Sequence, residues 1–337
     1  MRQSRPSRVG MTSTGEIPMS ETRRVEESVH AMGTTWTIIL YGGDERESAA
    51  ALRLAFGELG RIEGFLSTHR PESELSRVNS LASSASVALS PELLELLVRC
   101  GHYFQMSEGA FDITVGPLME AWSLRRGGGR SPAREDLADA VSRTGFKHLH
   151  LDPFRRSVRF GRPGMQIDPG GIGKGYAVDR LAERLIAAGF DVALIAASRS
   201  TILGLGSPPR SRAGWPVDIM HPTARSRAIA EASLRDRALS TSGSLEKGFW
   251  SGGRCYSHLI DPRTGEPATG SLQVSVLAPR AIDSEVWTKP CLIHGREWAA
   301  RHLPAGVHAL FCEAGEDGPC DWIPFPPGSV DGPKLKT

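Results

Sequence analysis

The chain has 337 residues, 40% of them hydrophobic and 23% charged, with a formal net charge of +2. That is the composition of an ordinary soluble enzyme built as one large domain or two medium ones. The near-neutral balance gives no strong field toward nucleic acid or an anionic membrane, and no apolar run approaches the roughly 20 residues of a membrane helix.

In chain order, residues 1–24 are polar and arginine-bearing and read as a disordered tail. They contain no apolar core of a secretion signal and no cysteine for lipid attachment, so a cytoplasmic protein is expected. Thr35–Tyr41 reads as a strand. Residues 47–66 carry Leu52, Ala55, Phe56, Leu59, Ile62 and Leu66 at helical spacing and predict an amphipathic helix. A short capped helix is expected over Ser73–Asn79. Ser90-Pro91-Glu92 supplies an N-cap, a proline at the first helical position and an early acid for a helix that Gly109 should stop. Residues 109–118 show strand-like alternation around Asp112, and 123–136 read as a basic, solvated linker. His148–Asp152 and Ser157–Phe160 form a strand pair. Val192–Ala197 and Thr201–Leu205 form another, and further strands are expected at Val217–Met220, Gln273–Ala278 and Val307–Cys312. A helix over 284–302 should break near Pro290, and 325–337 read as a loose tail. Helices and closely spaced strand pairs together predict a mixed α+β domain over 25–324. The five cysteines (Cys100, Cys255, Cys291, Cys312, Cys320) include no C-x-x-C pair, which fits scattered reduced thiols.

The segment richest in chemistry is Asp168-Pro169-Gly170-Gly171-Ile172-Gly173-Lys174-Gly175-Tyr176, followed by an amphipathic run to Gly189. Glycines that open a helix expose unpaired amides to a phosphate, and the lysine adds a point charge. It is not a Walker A loop, because Asp168 and Gly175 hold the places of its first glycine and its hydroxyl residue. It is not a Rossmann fingerprint, because Tyr176 holds the place of the last glycine. The plain alternative is a glycine-rich helix entry with no ligand. Tyr256–Gly265 carries His258 just before an Asp-Pro-x-x-Gly turn, and a histidine there suits proton abstraction near neutral pH. Ser240-Thr241-Ser242-Gly243 offers three hydroxyls to a ligand or a helix cap.

Together these segments resemble the FAD:protein FMN transferases, the ApbE flavin transferase family. The resemblance rests on an ordered set running from about Met32 to Gly295. It comprises Met32-Gly33-Thr34, Ser67-Thr68 with Ser73 and Asn79, Gly109-x-Phe111-Asp112-x-Thr114, the 168–179 loop, Ser240–Gly243, His258–Gly265 and Ser275–Pro279. It implies a compact α+β domain with an FAD cleft. It also implies an Mg²⁺-dependent transfer of FMN from FAD to a Thr or Ser hydroxyl of an acceptor protein, with AMP leaving. His258 is the implied base. Met32, Ser67, Asp112, Asp168, Gly170, Gly171, Lys174, Ser240 and Ser242 are the implied FAD contacts.

The resemblance places the metal on an Ala-Asp-x-x-x-Thr segment and on a carbonyl beside the loop lysine, here Gly173. The matching stretch reads Ser284-Glu285-Val286-Trp287-Thr288-Lys289, so Glu285 stands for the aspartate and Lys289 falls on the threonine position. Glu285 and Thr288 are the expected ligands, with Asp283 an alternative, unless the Lys289 ammonium takes up the metal's space. Ala196–Thr201 departs too, with Arg199 available to a phosphate or to solvent. An FAD pyrophosphatase and a non-catalytic FAD-binding protein remain the alternative functions.

Overall fold

The computed structural model describes residues 23–126, 128–224, 226–244, 248–251, 254–269, 271–313, 320–323 and 334–336. Residues 1–22 of the expected N-terminal tail lie outside the described residues, and Arg24 already opens a strand.

β1 (Arg24–Ala31) and β2 (Thr34–Tyr41) pair antiparallel up to Ala31↔Thr34, so Met32 and Gly33 are the whole connecting loop. Both take positive φ, 49° and 70°, as a two-residue hairpin loop that follows the sheet's twist requires. α1 (Glu45–Leu66) begins with a reciprocal capping box between Asp44 and Glu47 and buries Leu52, Ala55, Leu59, Ile62 and Leu66 as a stripe. α2 (Glu74–Leu81) is capped by Ser73, and β3 (Val87–Ala88) follows. α3 (Pro91–Met106) starts from the expected Ser90-Pro91 cap. The expected strand at 109–118 is instead a set of turns leading into α4 (Gly116–Ala121). Part of the expected linker is helical, since α5 spans Arg134–Ser142. β4 (Leu149–Asp152) and β5 (Ser157–Phe160) pair as expected. α6 (Gly173–Ala187) follows the glycine loop.

The remaining elements are β6 (Ala193–Ala197), β7 (Thr201–Leu205), β8 (Trp215–Met220), β9 (Ala228–Leu234), β10 (Arg237–Gly243), β11 (Phe249–Ser251), β12 (Arg254–Tyr256) and β13 (Gln273–Ala278). α7 (Ala281–His294), α8 (Arg296–His302), β14 (His308–Cys312), β15 (Cys320–Ile323) and β16 (Lys334–Leu335) complete the chain. α7 runs straight through Pro290, and the break falls at Gly295, whose φ of 82° ends the helix. β16 pairs with β9, so the expected loose C-terminal tail contributes a strand.

An eight-stranded antiparallel sheet, ordered β1-β2-β6-β7-β10-β13-β14-β15, forms the frame. Strand alternation sorts its two faces. Trp36, Ile38 and Leu40 of β2, Val274 and Val276 of β13, and Ala309 and Phe311 of β14 join the large core with α1, α6 and α7. Leu239, Leu277 and Leu310 point the other way, to a smaller core under β8 and β9 that includes Trp215, Ile219 and Leu234. The same alternation puts Ser240 and Ser242 on the helical face with Ala238, against α7. α7 is buried nearly all round, which explains its weak amphipathic pattern in the sequence.

Among the described residues no helix is long and apolar enough to cross a membrane. Cys100, Cys291 and Cys312 are buried free thiols, while the side chains of Cys255 and Cys320 lie outside the described ones.

Candidate active site

A cavity of about 460 Å³ opens between the glycine loop, the helical face of β10, the N-terminal half of α7 and the turn after β12. That volume lies within the roughly 300–1,000 Å³ of small-molecule sites. Its lining brings together Met32, Asp112, Asp168, Gly170, Gly171, Lys174, Ser240, Ser242, His258 and Glu285 from segments far apart in the chain. Ser67, Gly173 and Thr288 are not part of that lining.

The glycine loop is held from both sides. The Asn79 side chain accepts from the Ile167 amide (2.7 Å) and donates to the Ile167 carbonyl (2.9 Å), as a strand neighbour would. The Asp168 amide donates to the Ile113 carbonyl at 2.8 Å. The Asp168 carboxylate caps the turn at 169–171 by accepting from the Gly170 amide (2.9 Å), and it pairs with the Arg125 guanidinium at 3.3 Å. Arg125 also donates to Gln166 at 2.6 Å. A Cβ on Gly116 would stand 2.7 Å from the Arg125 guanidinium, so that glycine makes room for it. Arg125 is a site-supporting residue that sequence reasoning missed, because it lies in a basic stretch that resembles a solvated loop.

α6 and α7 cross at Gly175. A Cβ there would lie 2.4 Å from the Ala281 carbonyl oxygen and 2.7 Å from the Ile282 Cα. Asp179, one turn along, accepts from the Ala281 (2.7 Å) and Ile282 (3.1 Å) amides and so caps α7 from a different helix. Burial pushes its pKa up to about 6, partly offset by those two amides and by Arg280. This close crossing carries the Gly175 amide to Glu285 Oε2, where it donates at 2.6 Å. The other carboxylate oxygen, Oε1, pairs with Lys174 Nζ at 2.9 Å.

Several expected ligand contacts also have partners within the fold. The Asp112 carboxylate is 5% exposed and accepts from the Thr114 amide (2.8 Å), the Thr114 hydroxyl (2.6 Å) and the Phe146 amide (2.8 Å). Burial raises its pKa against those bonds, and both its oxygens are engaged at the cavity wall. Ser67 ends α1, and its hydroxyl accepts from the His69 and Arg70 amides (both 3.1 Å), so it is a turn residue. Ser240 bonds the hydroxyls of Thr201 (3.1 Å) and Ser284 (2.7 Å). Ser242 bonds Thr288 (2.8 Å). The Met32 amide donates to Glu63 at 2.7 Å, fixing the hairpin loop over the cavity. Arg199 is exposed in the β6–β7 turn and does not line the cavity. His258 is half-buried at the cavity wall, one residue after Ser257, whose hydroxyl accepts from the Leu259 amide (3.0 Å). The following turn is locked by Arg263 on the Asp261 carboxylate (2.8 and 2.9 Å) and by Trp122 donating to the Gly265 carbonyl (2.8 Å).

The expected Mg²⁺ ligands do not fit a metal. Mg²⁺ asks for near-octahedral oxygen donors at about 2.0–2.1 Å. Here both Glu285 oxygens are occupied by Lys174 and Gly175, and the Thr288 hydroxyl donates to the Glu285 carbonyl at 2.7 Å. Gly173 is the first residue of α6, where the helical pattern directs its carbonyl along the axis. Asp283, the alternative ligand, accepts from the Tyr103 hydroxyl. Lys289 Nζ donates to the Glu285 carbonyl at 2.8 Å, and Lys289 lines the cavity. Among the described residues no three His, Cys, Asp or Glu side chains gather to hold a metal. Burial works to raise the Glu285 pKa, but Lys174, Lys289 and the Gly175 amide outweigh it and hold the carboxyl below its usual range. Burial likewise pushes Lys289 down to about 8, against the pull of Glu285.

A glycine-lysine loop, a hydroxyl-bearing strand and a histidine turn thus surround one cavity on an antiparallel α+β frame. Residues 32–311 match the sequence model of the ApbE family. The chain belongs to that family. A curated relative named FAD:protein FMN transferase from Treponema pallidum (strain Nichols) is 34% identical over 286 residues, covering 79% of this chain and 77% of the relative. One of the same name from Escherichia coli (strain K12) is 29% identical, covering 80% and 78%. The solved ApbE protein of Thermotoga maritima superposes with a TM-score of 0.80 at 25% identity, covering 89% of this chain and 96% of that one. The apo flavinyl transferase ApbE of Pseudomonas stutzeri gives a TM-score of 0.80 at 26% identity, covering 91% and 96%.

Proposed function

We propose that this chain transfers FMN from FAD to a threonine or serine hydroxyl of an acceptor protein, releasing AMP. The observation that carries this reading is the convergence of the 168–175 loop, the β10 hydroxyls and His258 on one cavity, in a chain whose relatives are named for that reaction. Phosphoryl transfer asks the protein for positioning and charge stabilisation, plus a group to take the acceptor's proton. In this proposal Lys174 and the Gly171 amide face the pyrophosphate, while the Gly170 amide holds the Asp168 carboxylate. The Asp168–Arg125 pair stiffens the loop beneath them. His258 takes the hydroxyl proton, for which it must come within about 3 Å of the acceptor oxygen. No step is routed through Mg²⁺ here, because the donors that the resemblance assigns to it have other partners.

The test is His258→Ala. With FAD and a threonine-bearing flavoprotein fragment, the variant should bind FAD within a few-fold of the parent and lose covalent flavin transfer by about 10²–10⁴-fold. Unchanged transfer would remove His258 from the reaction. Free FMN and AMP formed at equal rates with and without the fragment would support a pyrophosphatase instead.

A further inference from the structure

Four oxygens around Glu285 could face a cation: both of its carboxylate oxygens, its carbonyl and the Thr288 hydroxyl. All four are engaged with protein groups. Two of those partners are ammonium groups, Lys174 and Lys289, and both residues line the cavity. The stem of Lys289 passes close to Gly171, where a Cβ would stand 3.4 Å from Lys289 Cε. Two ammonium groups against one carboxylate leave a net positive charge facing the cavity. Lys289 stands at the chain position where the family resemblance places a threonine ligand of the metal.

We propose that Lys289, with Lys174, neutralises the FAD pyrophosphate in place of a divalent cation, so that this chain binds FAD and transfers its FMN half without metal. The inference rests on the reading of the cavity as an FAD site. In the transfer, the acceptor hydroxyl oxygen bonds to the FMN phosphorus. The bond from that phosphorus to the bridging oxygen breaks, its electron pair stays on the oxygen, and AMP leaves. The hydroxyl proton passes to His258. Negative charge therefore grows on the bridging oxygen and persists on the non-bridging ones. Ammonium N–H groups meet such oxygens with short charge-assisted bonds. A side-chain cation is also supplied by the fold itself and needs no ion from solution.

Two binding measurements on the full chain test this without relying on turnover. Titration with Mn²⁺, followed by electron paramagnetic resonance with the protein alone, should show no stoichiometric site. FAD affinity, read by quenching of flavin fluorescence, should agree within about twofold between EDTA and excess Mg²⁺. Lys289→Met should weaken FAD binding tenfold or more in EDTA. One Mn²⁺ bound per chain, or a tenfold loss of FAD affinity in EDTA for the parent, would overturn the inference and leave the transferase reading intact. Failure to bind FAD in either buffer would overturn the FAD reading itself, and the role of the two lysines with it. Should Lys289→Met fail to fold, the two measurements on the parent still decide.

Discussion

Gly175→Ala probes the crossing on which the site is built. A Cβ at 175 would meet only backbone at its three nearest contacts: the Ala281 oxygen at 2.4 Å, the Ile282 Cα at 2.7 Å and the Ala281 carbonyl carbon at 2.8 Å. No flexible side chain is there to move aside, so α6 and α7 must separate. Overpacking of this kind costs about 1–3 kcal/mol. Separation also stretches the 2.6 Å bond from the Gly175 amide to the buried Glu285 carboxylate, and a hydrogen bond to a charged group is worth about 1.5–3 kcal/mol. Alanine's better helix propensity returns about 1 kcal/mol. The net expectation is a loss of about 1.5–5 kcal/mol, read as a lower urea midpoint at unchanged m-value. FAD affinity should fall tenfold or more, because Glu285 no longer anchors Lys174. Gly60→Ala is the control: that glycine lies in α1, and a Cβ there would have nothing within 4 Å. The control change should stabilise by about 0.5–1 kcal/mol. A Gly175→Ala protein as stable as the parent, with unchanged FAD affinity, would refute the claim that this crossing builds the site.

Two further predictions concern pH and have opposite signs. Glu58 is 6% exposed and meets Arg61 (2.8 Å), Arg184 (3.2 Å) and Arg180 (3.5 Å). The Arg61 bond, ahead of the opposing effect of burial, holds its pKa down at about 2 against an ordinary 4.5. Its contribution is therefore present above pH 4.5 and lost as pH falls from there through about 2. Glu58→Gln should cost about 1–3 kcal/mol at pH 7, allowing for the partly solvated arginines, and nothing near pH 2. Equal costs at both pH values would contradict the assignment. Asp179, raised by burial to about 6 from 3.8, contributes stability below pH 3.8 that is lost as pH rises through about 6. The parent should thus lose stability relative to Asp179→Asn between pH 4 and 6 in thermal melts. A difference that stays flat across that window would show that the buried carboxylate does not titrate there.

What could be read from the sequence follows the range of the forces involved. α1 and α3 were legible because an apolar stripe and a cap are local signals, and the chain carries both within each segment. β10 was not legible as a strand. Ser240-Thr241-Ser242 resembles a loop until β7 and β13 flank it and α7 supplies partners for its hydroxyls. The alternation at 109–118 came from turns whose one acid, Asp112, binds neighbouring backbone. Pro290 suggested a break, but a helix buried on every side is held by its packing, and the chain turns instead at Gly295.

The same distinction holds for the site. The motifs located Lys174, His258 and Glu285, and the cavity unites them. The motifs could not say that Asp112 and Ser67 spend their oxygens on the fold, or that Arg125 would fold back onto Asp168. Nor could spacing along one helix show that Lys174 and the Gly175 amide would meet the Glu285 carboxylate. That depended on the position of α6, which the bare backbone of Gly175 sets.

Flavin transfer by this chain is tested most directly by intact-mass analysis of a threonine-bearing flavoprotein fragment after incubation with the protein and FAD. The expected result is a fragment heavier by one FMN moiety, AMP released in equal amount, and neither product when the threonine is replaced by valine. FAD recovered intact beside an unmodified fragment, with the protein shown to bind FAD, would contradict it.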